Sequence, residues 1–473
     1  MAARAAAPAG ADVMPAVMKA EGFYNQNSQF QRSMIDRSIG FLEQAAAVAP
    51  LPTVPGGTFR IVDIGCSQGG NSVAPVSAVL KVLQSRAAAS REGAGGGGGG
   101  GGGGDVPGRP TPPSGGGGGG GLPLPLLPLP PTPPLAVEVL HVDLPGNDWG
   151  SLFEVLYGSS SEVSYMSRPE ERHPDLAVFA AAVGRSMYDR LFPPASVHLA
   201  MAFCCLHWQP SIPDRRPTDT LTPHCTADSE TYAAFRDSAN DHLRSFLAMR
   251  AEEMVQGGSL VCHLLTYTPG RDKESHASVN RAVLQMVSEG LLSPEDVPQL
   301  TLPAFMHQPA DVLAILQHQG AATSATPPTS PTPSPTPSST PSPWLVRAAE
   351  EVRVQHPAYE QYRAGRLSRD EVVRALVDGL RAVSEQHFLR VLSRRHGGPR
   401  EAEGLVCVLY ERLEGAVREA LGGQQEEEEV EGEDEEGEGR EGAGRGGGSG
   451  ARRRATESSL GGRSVMYLWL QRK

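Results

Sequence analysis

Short apolar runs and helical spacings alternate along the first half of the chain. Phe59–Gly65 (FRIVDIG), Ala136–Val142 (AVEVLHV), Leu176–Val183 (LAVFAAAV), Val197–Phe203 (VHLAMAF) and Ser259–Leu265 (SLVCHLL) are apolar at nearly every position. Such runs predict strands buried on both faces, as in a parallel sheet. Between them, Ser72–Ser85 and Tyr232–Val255 place apolar residues at helical spacing. Strands alternating with helices predict a doubly wound, mostly parallel α/β sheet. Beyond Thr268 the spacing turns helical over Val279–Glu289, Ala310–Gln317, Ser368–Ser393 and Glu403–Leu421. These helices predict a mainly helical cap over the carboxyl edge of the sheet. A closing apolar run, Val465–Leu470 (VMYLWL), reads as a last strand returning to it.

Three stretches break the rhythm: Ala87–Pro134 (poly-Gly, then Pro/Leu), Ala321–Pro343 (Thr/Pro/Ser) and Gly422–Arg463 (acidic, Gly-rich, then Arg452–Arg454). None offers enough apolar surface to offset its ordering entropy, so each is expected to be an unstructured insertion. The expected organisation is a tail over 1–11 and a sheet domain over 12–268 interrupted at 87–134. A cap over 269–421 interrupted at 321–343, an insertion over 422–463 and the closing strand over 464–473 complete it. The first insertion joins a helix to the second strand, at the amino end of the sheet and opposite its ligand crevice.

Composition removes several function classes. Of the net charge of −12, ten acidic residues lie between Glu426 and Glu438, so the remainder of the chain carries −2. That gives no reason to expect nucleic acid or an anionic membrane as partner. The apolar run Leu122–Val137 is broken by Pro throughout and reads as no membrane span. The six cysteines (66, 204, 205, 225, 262 and 407) lack C-x-x-C spacing, and nothing resembles a secretory signal. A reducing, cytoplasmic setting without structural zinc is the expectation.

The candidate chemistry begins at Asp63-Ile64-Gly65-Cys66-Ser67-Gln68-Gly69-Gly70-Asn71, after the first strand and at the start of a helix. The glycines allow close backbone approach to a ligand, and the helix start favours negative charge. This is not G-x-G-x-x-G, which counts against a nicotinamide dehydrogenase. The acid-then-glycine pattern suits a zwitterionic amino-acid tail better than a pyrophosphate. Asp143 lies at the tip of the second strand, in HVDLPGNDW, where a doubly wound nucleotide binder holds ribose hydroxyls.

These two blocks resemble the D-[LI]-G-C-S-x-G-x-N and N-D-L-P-G-N-D-[FW] motifs of the plant SABATH methyltransferases. Tyr24-Asn25-Gln26-Asn27-Ser28-Gln29-Phe30-Gln31 is similar to the family's Y-x-x-N-S-x-x-Q, and Ser186–Pro193 (SMYDRLFP) to S-F-Y-G-R-L-F-P. Phe203–Trp208 (FCCLHW) is similar to S-Y-S-L-H-W, and Arg381–Glu385 with the closing strand continue the likeness. The resemblance spans Asp12 to Lys473 apart from the insertions. It implies a Rossmann-like methyltransferase sheet with S-adenosyl-L-methionine as cofactor, held by Tyr24, Ser28, Asp63, Asn71, Asp143, Leu144, Ser186 and Met187. It also implies an acceptor carboxylate met by Gln31 and Trp208, with His207 lining the pocket, and it brings in the family's usual homodimer, which the sequence leaves open.

The implied reaction is methylation of the carboxylate of a small organic acid, of salicylate, benzoate, jasmonate or indoleacetate type. No catalytic acid, base or metal is called for, because the donor is activated and a carboxylate is already nucleophilic. The chain departs from the pattern at Met187, where an aromatic is usual, at Cys204-Cys205 in place of Tyr-Ser, and at Arg185. Those departures keep a non-catalytic binding protein open as an alternative, and the resemblance also leaves open N-methylation of a xanthine-like ring, since the family does both. The cysteines themselves read as packed strand-end residues, since no positive neighbour suggests a lowered thiol pKa.

Overall fold

The computed structural model describes residues 17–54, 56–95, 133–158, 164–268, 277–317, 342–438 and 462–473. The tail over 1–11, the poly-Gly and Pro/Leu tract over 96–132 and the Thr/Pro/Ser repeat over 321–341 lie outside them.

Among the described residues, seven strands form one sheet: β1 (Thr58–Ile64), β2 (Leu135–Asp143), β3 (Leu176–Gly184), β4 (Val197–Phe203), β5 (Met254–Thr266), β6 (Trp344–Gln355) and β7 (Gly462–Arg472). Their order is β3-β2-β1-β4-β5-β7-β6. All neighbouring pairs from β3 to β5 are parallel, and β7 runs antiparallel to both β5 and β6. The order reverses between β1 and β4, so the ligand crevice of this topology lies at their carboxyl ends.

Alternation along the strands splits the core into two layers. Phe59, Ile61, Val137 and Val139 pack on α2 (Gln29–Val48) and α3 (Val73–Gly95). Before α2 comes the short α1 (Phe23–Asn27). Val62, Ile64, Leu140 and Val142 face the other side, where they meet α6 (Ser229–Glu253) and α8 (Pro309–Gln317). Two shorter helices, α4 (Trp149–Tyr157) and α5 (Pro169–Arg172), follow β2. A third core joins α7 (Ala277–Ser288), α9 (Pro357–Arg363), α10 (Arg369–Arg395) and α11 (Pro399–Glu438). This is the helical cap. Among the described residues, no helix is long and apolar enough to cross a membrane.

The structure corrects four expectations. Ala87–Gly95, expected to open the first insertion, is instead helical and ends α3. The segment expected to be unstructured from Gly422 continues α11 through Glu438. Ala, Glu, Gln and Arg are good helix formers, so a helix already nucleated on a core can propagate through them. Within the span expected to be helical, Trp344–Gln355 is instead the edge strand β6. Ala310–Gln317, assigned to the cap, packs as α8 on the sheet through Val312, Ile315 and Leu316.

Candidate active site

The turn after β1 is shaped by one close approach. Gly65 has φ +77°, and a Cβ there would lie 2.6 Å from Cys205 Cβ. Only glycine lets the turn pass under the end of β4. The turn is tied to β2 by Gly65 N–H and Cys66 N–H donating to the Val142 carbonyl at 2.8 and 3.2 Å.

Asp143 closes the other side of the crevice. Its carboxylate accepts from Ser67 N–H and Leu144 N–H, each at 2.7 Å. Burial nevertheless outweighs those bonds and raises its pKa to about 6. The crevice, a cavity of about 70 Å³, is lined by Tyr24, Gly65, Asp143, Leu144, Ser186, Met187 and Trp208, among others.

Five of the eight sequence-assigned cofactor residues therefore line this wall: Tyr24, Asp143, Leu144, Ser186 and Met187. The other three are not among the residues that line it. Asp63 and His141 face each other in the β1–β2 register, and the Asp63 carboxylate bonds His141 Nδ1 at 2.9 Å. His141 Nε2 continues to Tyr165 Oη at 2.6 Å. Asn71 donates to Ser28 Oγ at 3.0 Å and accepts from Arg32 Nε at 3.2 Å. That pair sits where α1 meets α2, under Tyr24.

A second cavity of about 220 Å³ opens beneath the cap and contains Gln31, His207 and Trp208. Met18, Tyr24, Cys204 and Trp208 line both cavities, so the two adjoin across these side chains. Trp208 is fixed by Tyr188 Oη, which donates to the Trp208 carbonyl at 2.9 Å. Gln31 Oε1 is buried without a hydrogen-bond partner among the described residues. His207 is 8 % exposed. Burial, aided by His307 and His224, lowers its pKa to about 3, so its ring is neutral.

Several contributors were not legible in the sequence. Behind Cys204, which has φ +51°, stands His263, with Nε2 2.9 Å from Sγ and Nδ1 3.0 Å from Ser38 Oγ. Burial pushes the thiol pKa up and the imidazole down to about 3. The pair is neutral, so it offers no thiolate nucleophile. The Ser186–Phe192 loop hangs on an ion pair that is almost fully buried, Arg250–Glu253 at 2.9 Å. Arg250 donates to the Met187 and Asp189 carbonyls, both at 2.7 Å, while Glu253 Oε1 accepts from Leu191 N–H and Phe192 N–H. The one sequence signal was a charged pair at i, i+3 on an otherwise apolar helix face.

The amino-terminal segment straps the site. Lys19 N–H donates to the Ala382 carbonyl and its Nζ to Glu385, both on α10. Gln68 Nε2 donates to the Lys19 carbonyl at 2.7 Å, and Asn25 exchanges bonds with the Gln68 carbonyl and Gly70 N–H. One segment thus ties the cap to the turn after β1.

A doubly wound sheet with a crevice at its switch point, an acid at the tip of β2 and an adjoining cavity under a cap defines a fold that binds a nucleoside-type cofactor. Residues 16–94 and 130–325 match the family described as SAM dependent carboxyl methyltransferase, and the chain belongs to that family. It is 27% identical to gibberellic acid methyltransferase 2 of Arabidopsis thaliana over 280 residues, 55% of this chain and 60% of that one. That match therefore spans less than two thirds of the relative. Identity to salicylate carboxymethyltransferase of Clarkia breweri is 26% over 316 residues, 64% of this chain and 72% of that one. The solved structure of a loganic acid methyltransferase with SAH shares the fold with a TM-score of 0.61 at 18% identity, covering 97% of this chain and 99% of that chain.

The family's cofactor fits the crevice. Ser67 Oγ and Asp143 lie at its wall, the hydroxyl buried without a partner and the carboxylate with capacity for further donors such as ribose hydroxyls. Two expected outcomes follow. S-adenosylmethionine affinity should fall as the pH drops through about 6, where the Asp143 carboxylate protonates and stops accepting, and level off near that of Asp143→Ala. Asp143→Ala should remove that pH dependence and weaken binding by about 1–3 kcal/mol, both read by calorimetry. Lys19→Met should leave the fold intact but raise KM for cofactor and acceptor together by about fivefold, the loss of one part-buried ion pair at roughly 1 kcal/mol. Steady-state kinetics with both substrates varied checks it.

Proposed function

We propose that the protein transfers a methyl group from S-adenosylmethionine to the carboxylate of a small organic acid. The observation that carries this reading is the adjoining of the two cavities across Met18, Tyr24, Cys204 and Trp208. A donor in the crevice and an acceptor under the cap would meet at that shared wall.

When bound, the cofactor supplies a methyl already activated on a sulfonium. Tyr24, Asp143, Leu144, Ser186 and Met187 hold it, with Ser28, Asp63 and Asn71 supporting the turn and α1. Trp208 N–H and the Gln31 amide donate to one carboxylate oxygen and leave the other aimed at the crevice. The neutral His207 completes the wall. No residue needs to take a proton, since the carboxylate is the nucleophile. The protein orients the reactants and excludes water, contributions that can reach roughly 7–11 kcal/mol. The apolar cap walls of the cavity suit the second task. All six cysteines are free, which fits the reducing cytoplasm as setting.

The test is a mass-spectrometric screen of carboxylic acids with isotope-labelled cofactor. Labelled methyl esters are expected. A protein that binds the cofactor and methylates no acid in the panel would overturn the reading in favour of a non-catalytic binding protein.

A further inference from the structure

Cys204, in the wall shared by the two cavities, has a base in contact. Met18, Tyr24 and Trp208 line both cavities with it. A thioether and an indole are poor nucleophiles at pH 7, and burial pushes the Tyr24 phenol pKa far up. Cys204 Sγ instead lies 2.9 Å from His263 Nε2, and His263 Nδ1 lies 3.0 Å from Ser38 Oγ. A nucleophile, a base within hydrogen-bond reach and a third group that orients the base is the arrangement that activates serine and cysteine side chains.

Backbone and packing hold the arrangement in place. Cys204 directly follows β4 with φ +51°, a left-handed conformation that non-glycine residues seldom adopt. His263 is fully buried on β5, stacked on Phe203 with ring centroids 4.9 Å apart and tilted against Tyr467 at 5.3 Å. Of its two neutral tautomers, the one with its proton on Nδ1 shares it with Ser38 Oγ and leaves Nε2 to accept. Cys66, Cys205 and Cys262 are buried, whereas Cys204 is only partly so. His207, 8 % exposed, lines the acceptor cavity with Cys204, and its Nδ1 is buried without a hydrogen-bond partner among the described residues. That orphaned nitrogen marks the cavity as one that takes a polar ligand.

We propose that Cys204 is itself a methylation site: in donor-loaded protein without an acid, its Sγ takes the methyl of S-adenosylmethionine and becomes S-methylcysteine. This rests on the reading above that donor and acceptor meet at the shared wall. The new Sγ–C bond forms as the C–S bond of the sulfonium breaks, and the electron pair of that bond leaves with S-adenosylhomocysteine. The thiol proton passes to His263 Nε2. Burial keeps this ring neutral in the free protein. The step nevertheless adds no charge to the site, because an imidazolium appears as the sulfonium is discharged. The ring then gives its proton to solvent. An acid held at Gln31 and Trp208 is already ionised and takes the methyl first, so self-methylation belongs to protein starved of acceptor.

The experiment incubates the full chain with S-adenosylmethionine carrying a deuterated methyl, without acid, and locates the label by peptide mass spectrometry. Cys204 should gain a single labelled methyl, and Cys204→Ala should gain none. His263→Phe, which keeps the ring stack, should slow labelling by about 100-fold, the low end for a positioned general base. Ser38→Ala, the milder second variant, should slow it less. A cofactor-free measurement runs beside it. Iodoacetamide should alkylate Cys204 ahead of Cys66, Cys205 and Cys262, S-adenosylhomocysteine should protect it, and both variants should react more slowly. Label on another residue, or alkylation of Cys204 no faster than of the buried cysteines, would overturn the inference. An unlabelled Cys204 in protein that methylates an acid would overturn it too and leave the proposed activity standing. Labelled Cys204 with no acid methylated does the reverse.

Discussion

Replacing Arg250 by Met is expected to destabilise the protein by about 3–5 kcal/mol, because it strands the Glu253 carboxylate in a site that is almost fully buried. The guanidinium is itself held against a desolvation penalty, and burial pulls its pKa below the usual arginine range. Its loss also frees the Met187 and Asp189 carbonyls, so the loop that carries Ser186 and Met187 into the cofactor crevice loses its anchor. Stability and cofactor affinity should fall together. A second variant separates the two effects. Arg250→Met with Glu253→Gln removes the stranded charge, so part of the stability should return, while the loop remains unpinned and cofactor affinity stays low. Denaturant titration and calorimetry on both variants make the measurement. If the double variant regains full cofactor affinity, the pair is not what positions the loop.

How much of this could be read from the chain depends on the range over which each signal acts. β4 lies at the expected Val197–Phe203, and β1 agrees with its expected span to within a residue at each end. Central strands are buried on both faces, and their composition carries that burial directly. The edge strand β6 escaped because it needs little apolar content. Only Trp344 and Val354 along it are buried, and it pairs with β7 alone. Arg347, Glu350, Glu351 and Arg353 interrupt any alternation that would have marked it. The extents of α3 and α11 were missed for the opposite reason. Low-complexity composition argues against a core, but a helix satisfies its backbone locally and does not need one in its last turns.

At the site, backbone features were legible and side-chain partnerships were not. The turn at Gly65 and the acid ending β2 are local patterns. The Asp63–His141 bond depends on register, because the two residues stand side by side on adjacent parallel strands. Cys204 and His263 meet for a related reason, since Phe203 and His263 are paired in the β4–β5 register. From sequence, Cys204 lacked a partner. In the fold it has a neutral imidazole, which holds the thiol and leaves it protonated. The strap through Lys19 likewise joins residues 366 positions apart, a distance at which no local pattern operates.

Trp208→Phe should lower turnover of an acid acceptor on the order of 10- to 100-fold, from about 1.5–3 kcal/mol for a hydrogen bond to a charged group. Phe keeps much of the wall shared by the two cavities and removes only the indole donor, so the variant isolates the bond better than Ala would. The backbone of Trp208 also accepts from Tyr188, a contact the substitution leaves in place. Gln31→Ala should have a similar effect, since Gln31 lines the acceptor cavity and its amide N–H can donate to the carboxylate. S-adenosylmethionine affinity should change little for Gln31→Ala, because Gln31 lines the acceptor cavity and not the crevice. For Trp208, which lines both, a modest loss of cofactor binding is compatible with the assignment, and the larger loss must appear in kcat with acid saturating. The methyl ester should be neither turned over nor strongly bound, as it lacks the charge these donors recognise. Full rates in both variants on the best acid would remove Gln31 and Trp208 from the carboxylate. A ring-nitrogen acceptor would then be the better account of the same cavity.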